Sequence, residues 1–172
     1  MKTLKFSLLY LIFGLIAFNL SSCNKDDDGG DGGTAAPGTV KAKIDGSSFE
    51  SSQLASQATL VDLGSTYTIN IIGTDLSGNN LSLILNGVVG PGTYVIGGDN
   101  MVSISGSYTE INTSTFQSST WQAPYEGGVE VGEINISEFS EENVKGTFSF
   151  TAKNSDDDSF KSITKGAFNM DF

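Results

Sequence analysis

The chain has 172 residues, with 20 acidic residues, nine lysines, no arginine, no histidine and one cysteine. Without histidine there is no Ser-His-Asp or Cys-His machinery and no imidazole-held zinc, and a single cysteine makes neither an intramolecular disulfide nor a thiolate cluster. A net charge of −11 without arginine argues against binding a phosphate backbone, so no nucleic-acid partner is expected.

Lys2 and Lys5 open the chain, and Phe6 to Phe18 is almost wholly apolar. A basic start, a short apolar run and small residues after it read as a secretory signal. A membrane-spanning helix needs about 20 apolar residues, more than this run supplies. Leu20-Ser21-Ser22-Cys23 resembles a bacterial lipobox, which implies cleavage before Cys23 and lipid modification of its thiol. The predicted signal segment is therefore 1–22. Its removal leaves 150 residues with seven lysines against 20 acids, a net charge of −13.

Residues 23–38 read as a tether. Gly makes such a chain flexible and Asp makes it self-repelling, and fifteen such residues span roughly 20 Å. Lys25-Asp26-Asp27-Asp28 resembles the export signal of surface lipoproteins in Bacteroidota. That resemblance implies an outer-membrane lipoprotein facing the cell exterior, the alternative being a periplasm-facing one. Asn24-x-Asp26-x-Asp28-Gly29 fits the start of a calcium loop. Its twelfth position is Ala35 where a bidentate Glu is required, so that reading is rejected.

From 39 to 172 the chain reads as a single all-β domain whose dominant period is two. Val40, Ala42 and Ile44 alternate with lysines, Asp45-Gly46 turns, and Phe49 returns apolar. Tyr67, Ile69 and Ile71 form one strand. Leu81, Leu83 and Leu85 form the next, across the polar turn 77–80. Ile72 and Ile84 break the alternation, which predicts strands covered on both faces. A turn at Gly90-Pro91-Gly92 leads into 93–96, and 101–108 forms another strand with Val102, Ile104 and Tyr108 on one face. Val129, Val131, Ile134 and Ile136 make a strand with a one-residue slip near Gly132-Glu133, as a bulge produces.

Val144, Gly146, Phe148, Phe150 and Ala152 share a face, with Lys145, Thr147, Ser149 and Thr151 opposite. The last strand, about 160–172, should pair antiparallel with 143–153 around the polar loop Asn154–Ser159. No stretch carries a sustained helical period; at most a short turn of helix fits near 138–143. The expected fold is an antiparallel β-sandwich of about nine or ten strands, with a lipocalin-like meandering barrel as the alternative.

Val144-Lys145-Gly146-Thr147-Phe148-Ser149-Phe150-Thr151-Ala152 and Ile163-Thr164-Lys165-Gly166-Ala167-Phe168-Asn169 resemble the end of a Bacteroidota surface lipoprotein family of unknown function. Ile44-Asp45-Gly46, Gly92-Thr93-Tyr94 and Ile134-Asn135-Ile136-Ser137 fit its earlier parts, and Lys165 stands where its pattern has Asn. The resemblance implies a membrane-anchored lipoprotein and no catalytic residues. Bottom-up, Gly146 marks a bulge or a close backbone approach, and Gly166 a bend before Phe168.

The search for chemistry finds no catalytic set, and no cofactor or metal is expected. Glu126, Glu130 and Glu133, Glu141-Glu142 and Asp156-Asp157-Asp158 are acids at turns and edges, read first as solvation. Paired, they would suit a carboxylate-based hydrolase; the Asp run would suit weak calcium binding. The segment 110–128 is too long for a plain hairpin and holds Phe116, Trp121 and Tyr125; the alternatives are that it contains one further strand, or that Phe116 and Trp121 fold back to cap the open end of the sandwich. These aromatics are the candidate ligand contacts, since aromatic faces beside amides and hydroxyls stack on sugars or peptides. The leading expectation is a non-enzymatic domain that binds a glycan or protein. A structural or accessory part of an outer-membrane complex is the alternative, and a hydrolase the third.

Overall fold

The computed structural model describes residues 33–100 and 103–172. The signal segment, Cys23, the Lys25–Asp28 run and Val102 lie outside the described residues.

Eleven strands follow in chain order: β1 Thr39–Ile44, β2 Ser47–Glu50, β3 Ser56–Asp62, β4 Tyr67–Thr74, β5 Asn80–Val88, β6 Gly92–Gly97, β7 Ile104–Asn112, β8 Gln117–Ala123, β9 Glu130–Phe139, β10 Asn143–Lys153 and β11 Phe160–Asp171. Short 3₁₀ turns stand at Gln53–Ala55 and Gly98–Asn100. All pairings are antiparallel, in the order β2-β1-β11-β10-β8-β7-β5-β4-β3, with β9 on β10 and β6 on β9. β10 is where this sheet forks. It pairs with β9 over Val144–Phe150 but meets β8 only at Lys153↔Gln122. The half carrying β3, β4, β5, β7 and β8 therefore folds over the half carrying β1, β11, β10, β9 and β6.

The fold is all-β and sandwich-like, as the alternation predicts. It remains an open sheet, since β2 and β3 at the two ends of the path do not pair, so the closed barrel is not formed. The core lies between the halves. Ile69, Ile71, Leu81, Leu83, Leu85, Ile134, Val144, Phe148, Phe150 and Phe168 are all buried. Contacts across it include Phe49 edge-on to Tyr108 at 6.1 Å and Tyr67 against Phe139 at 5.1 Å.

The last hairpin forms in the expected register, from Asn143↔Asp171 to Lys153↔Phe160. One shift lies between Phe148↔Gly166 and Phe150↔Ile163, where β11 has an extra residue and Lys165 takes φ 50°. Phe148 stacks on Phe168 with centroids 6.3 Å apart, while Lys145 points outward to Glu138. The slip in β9 is also present. Ile96 pairs with Gly132 and Gly97 with Glu130, which leaves Val131 as the bulged residue.

Several expectations are corrected. The strands are eleven rather than nine or ten: β8 is the further strand that the reading of 110–128 leaves open, and β3 is unexpected; β3, Ser-Gln-Ala-Thr-Leu-Val-Asp, mixes polar and small residues and lies at the sheet edge, so its period is weak. Ile72 is only half-buried and Ile84 is 40% exposed, so β4 and β5 are not covered on both faces. No helical turn stands at 138–143, where Ser140 instead closes the loop by accepting from the backbone N–H groups of Glu142 and Asn143. The packed chain also begins before Thr39. Ala35 is buried, and Gly38 N–H donates to the Asn169 carbonyl at 2.7 Å, so the end of the predicted tether is docked on β11.

Candidate functional site

The segment 110–128 is a hairpin rather than a long loop. β7 and β8 pair from Gly106↔Ala123 to Asn112↔Gln117, and only four residues, 113–116, make the turn. Asn112 shapes it, its side-chain oxygen accepting from Ser114 N–H at 3.0 Å and Thr115 N–H at 3.2 Å. Ser, Thr and Gln fill β8, and a polar run between aromatics hides a strand whose outer face is solvated.

β5 covers β7 only as far as Thr109, so the tip of the hairpin overhangs the sandwich. The strand alternation puts Tyr108, Glu110 and Asn112 on the inward face, opposite Trp121, Ser119 and Gln117. Nearest the core, Tyr108 and Trp121 form a buried cross-strand pair with rings 6.2 Å apart. Further out the same face is polar. It meets the β10–β11 loop across an open groove of about 550 Å³ lined by Glu110, Ile111, Asn112, Thr113, Gln117, Ser119, Trp121 and Asp157. Ligand sites commonly enclose about 300–1,000 Å³.

Lys161 of β11 lies behind the groove lining, against Glu110 and Trp121. Its ammonium lies 4.7 Å from the Trp121 ring and 5.9 Å from the Tyr108 ring, within cation–π range. It also pairs with Glu110 at 3.1 Å and Asp45 at 3.6 Å. Burial raises the Tyr108 phenol to about 12, with Glu110, Asp75 and Asp45 adding to the effect. On the opposite wall Trp121 Nε1–H donates to Ser159 Oγ at 2.8 Å. The Ser159 hydroxyl and backbone N–H hold the Asp157 carboxyl below its usual range. The groove therefore offers two held carboxylates, Glu110 paired with Lys161 and Asp157 bonded to Ser159, with side-chain amides and hydroxyls beside the Trp121 edge. It can accept and donate several hydrogen bonds at once, and no nucleophile with a base beside it lines it.

The three candidate aromatics are not brought together. Trp121 is 7% exposed and gives the groove only an edge. Phe116 stands 89% exposed at the hairpin turn with φ 53°. Tyr125 follows the cis Ala123–Pro124 bond at the other end of β8 and packs edge-on against Phe160 at 5.4 Å. Glu126, Glu130 and Glu133 are exposed. Among the described residues no three His, Cys, Asp or Glu side chains converge to hold a metal ion. In their loop Asn154 Oδ1 accepts from Asp156 N–H and Asp157 accepts from Ser159 N–H; Lys153 pairs with Asp158 and its ammonium is raised mainly by that hydrogen bond.

Reading by residue type missed Lys161, Asn112, Gln117 and Ser119. Lys161 meets its partner Asp45 across more than a hundred residues of chain. The other three became legible only once 106–123 was read as a hairpin, since alternation then aligns them with Tyr108 and Trp121.

Among the described residues no helix is long and apolar enough to cross a membrane. No curated protein and no solved structure matches the chain. Residues 36–170 match a family described as "Domain of unknown function (DUF6252)", a span that runs from just before β1 to Met170 in β11. The chain belongs to that family of unknown function.

Proposed function

We propose that this chain is a lipid-anchored outer-membrane protein, held through Cys23 and facing the cell exterior, whose β-domain binds a glycan or protein ligand without transforming it. The observation that carries the binding reading is the groove beneath the β7–β8 hairpin. Its lining by Asn112, Gln117, Ser119 and Asp157 beside the Trp121 edge suits a hydroxyl-rich chain or an extended peptide. Supporting the anchor are the apolar run, Leu20-Ser21-Ser22-Cys23 and the Lys25–Asp28 run that follows it.

A glycan array and a pull-down from envelope extract test the ligand. Binding should be lost when Gln117 and Ser119 are both replaced by Ala; retention of full binding in that variant removes the groove from the proposal. The second reading, an accessory component of an outer-membrane complex, draws on the edges that β2, β3 and β6 leave without a second strand partner among the described residues. Stoichiometric co-purification with one membrane protein, insensitive to the groove variant, favours it.

A further inference from the structure

On one rim of the half-sheet β3-β4-β5-β7-β8 three connections stand side by side. They are the 3₁₀ turn Gln53–Ala55 before β3, the turn 75–79 between β4 and β5, and the turn 113–116 between β7 and β8. Each holds one large apolar side chain out in water: Leu54 is 100% exposed, Leu76 95% and Phe116 89%. These exceed every other large hydrophobic among the described residues. With neighbouring strands about 4.8 Å apart, the three tips span roughly 20 Å.

The tips are fixed in place. Ser52 N–H donates to the Thr74 carbonyl at 2.8 Å, which ties the first to the second. The Asp75 carboxylate accepts from Ser77 N–H, Asn79 N–H and Asn79 Nδ2–H, and Asn79 Oδ1 accepts from Ile111 N–H at 3.0 Å, which ties the second to the third. Phe116 adds strain to exposure. Its φ of 53° is a conformation that favours glycine and that bulky residues rarely take. The left-handed φ closes the hairpin turn, while the exposed Phe116 ring makes no contact that the turn requires.

Charge is sparse on this rim. The connections 53–55, 75–79 and 113–116 carry one charged side chain, Asp75, whose carboxylate is taken up by three hydrogen bonds from Ser77 and Asn79, in a chain with 20 acids. Other connections carry Asp45, Asp99, Glu126, Glu141, Glu142 and Asp156 to Asp158. The rim is also next to the start of the packed chain. Gly38 lies against Gln53, so close that a Cβ on it would be 2.7 Å from the Gln53 Cγ. From Gly33 back to Cys23 is ten residues, a reach of at most about 36 Å.

We propose that this rim docks on the bilayer that holds Cys23, with Leu54, Leu76 and Phe116 entering the interfacial layer of zwitterionic lipid; this rests on the lipid-anchor reading above. Three separated single hydrophobes among Ser, Thr, Asn and Gln suit a headgroup layer, where each inserts alone and its neighbours stay hydrated. A protein interface would favour one contiguous apolar patch. No lysine lines the tips, so the contact needs no anionic lipid and is insensitive to salt. Such contacts are weak by themselves, but a short tether makes docking intramolecular and raises the effective concentration into the millimolar range, of the order of 1 mM.

The test uses the full lipidated chain in phosphatidylcholine vesicles with brominated or plain acyl chains. Tryptophan is placed singly by Leu54→Trp, Leu76→Trp and Phe116→Trp, with Leu63→Trp and Val89→Trp on the opposite rim as controls and unaltered Trp121 as the common background. The expected result is that brominated lipid quenches the added emission at least twofold at 54, 76 and 116, unchanged in high salt, and leaves 63 and 89 unquenched. Equal quenching on both rims, or none in chains that float with the vesicles, overturns the docking proposal and leaves the anchor standing. A concentration-dependent blue shift without bromine quenching overturns it in favour of a second copy of the chain. Failure of the unaltered chain to float overturns the anchor reading and this inference with it.

Discussion

Phe148 lies directly over Gly166. The two residues pair across the last hairpin, and a Cβ on Gly166 would fall 2.5 Å from the Phe148 ring. The relationship is reciprocal two pairs away, where Phe168 covers its partner Gly146 and a Cβ there would fall 2.5 Å from its ring. Each ring thus shields a backbone that glycine leaves bare, and the two rings stack on one another. The glycines of the motif and its phenylalanines are one packing device.

Gly166→Ala should destabilise the chain by about 1–3 kcal/mol, the usual cost of overpacking. Phe148→Ala should cost about 3–5 kcal/mol. In the double variant the Gly166→Ala penalty should largely vanish, because the ring it strikes is gone. Urea unfolding of the four chains measures the coupling; strictly additive losses would show that the contact is not energetically real. Lys145→Ala, which removes only a partly exposed ion pair with Glu138, should stay within about 0.5 kcal/mol.

Lys165 occupies the left-handed region at φ 50° in the bulge before Gly166. Asn tolerates that conformation better than Lys. Lys165→Asn should therefore stabilise by about 0.5–1 kcal/mol, while Lys165→Val should destabilise, as a β-branched residue fits there worst. Opposite shifts of the thermal midpoint are the expected signature.

The Tyr108 phenol, raised to about 12, makes stability depend on alkaline pH. The folded group holds its proton above the ordinary value near 10, so its stabilisation is complete below pH 10 and is lost as pH rises through the folded value. Between about pH 10 and 12 stability should fall by about 1 kcal/mol per unit, less than the whole-proton limit because both states titrate partially in that window. Tyr108→Phe should flatten that part of the profile; an unchanged slope in the variant would assign it to the lysines.

Cys23→Ala tests the anchor directly. The expected outcome is an unprocessed precursor, or protein released from the membrane fraction. If the variant still sediments with membranes at the mature mass, the lipid-anchor proposal fails. Neutral replacement of Lys25, Asp26, Asp27 and Asp28 should leave lipidation intact and reduce protease accessibility on intact cells.

The alternation of Val144, Phe148, Phe150 and Ala152 with Lys145, Thr147 and Ser149 was enough to predict which face of β10 is buried, because a one-residue slip would expose two phenylalanines. The same reasoning reached the last hairpin and the slip in β9. It failed at β3 and left β8 open, where serine, threonine and glutamine give no apolar period and strand formation depends on neighbours that supply hydrogen bonds. It failed as well at Ile84, since an apolar residue does not reveal whether a second layer will cover it. The groove was beyond it for a further reason: Glu110, Trp121, Asp157 and Lys161 belong to three separate stretches. Alternation is a local property, read within one strand, and so the sequence by itself determined the all-β period and the faces of its strong strands. Which halves face each other, which turns share a rim and which side chains surround Lys161 depend on the fork of the sheet at β10, a long-range pairing that only the tertiary structure decided.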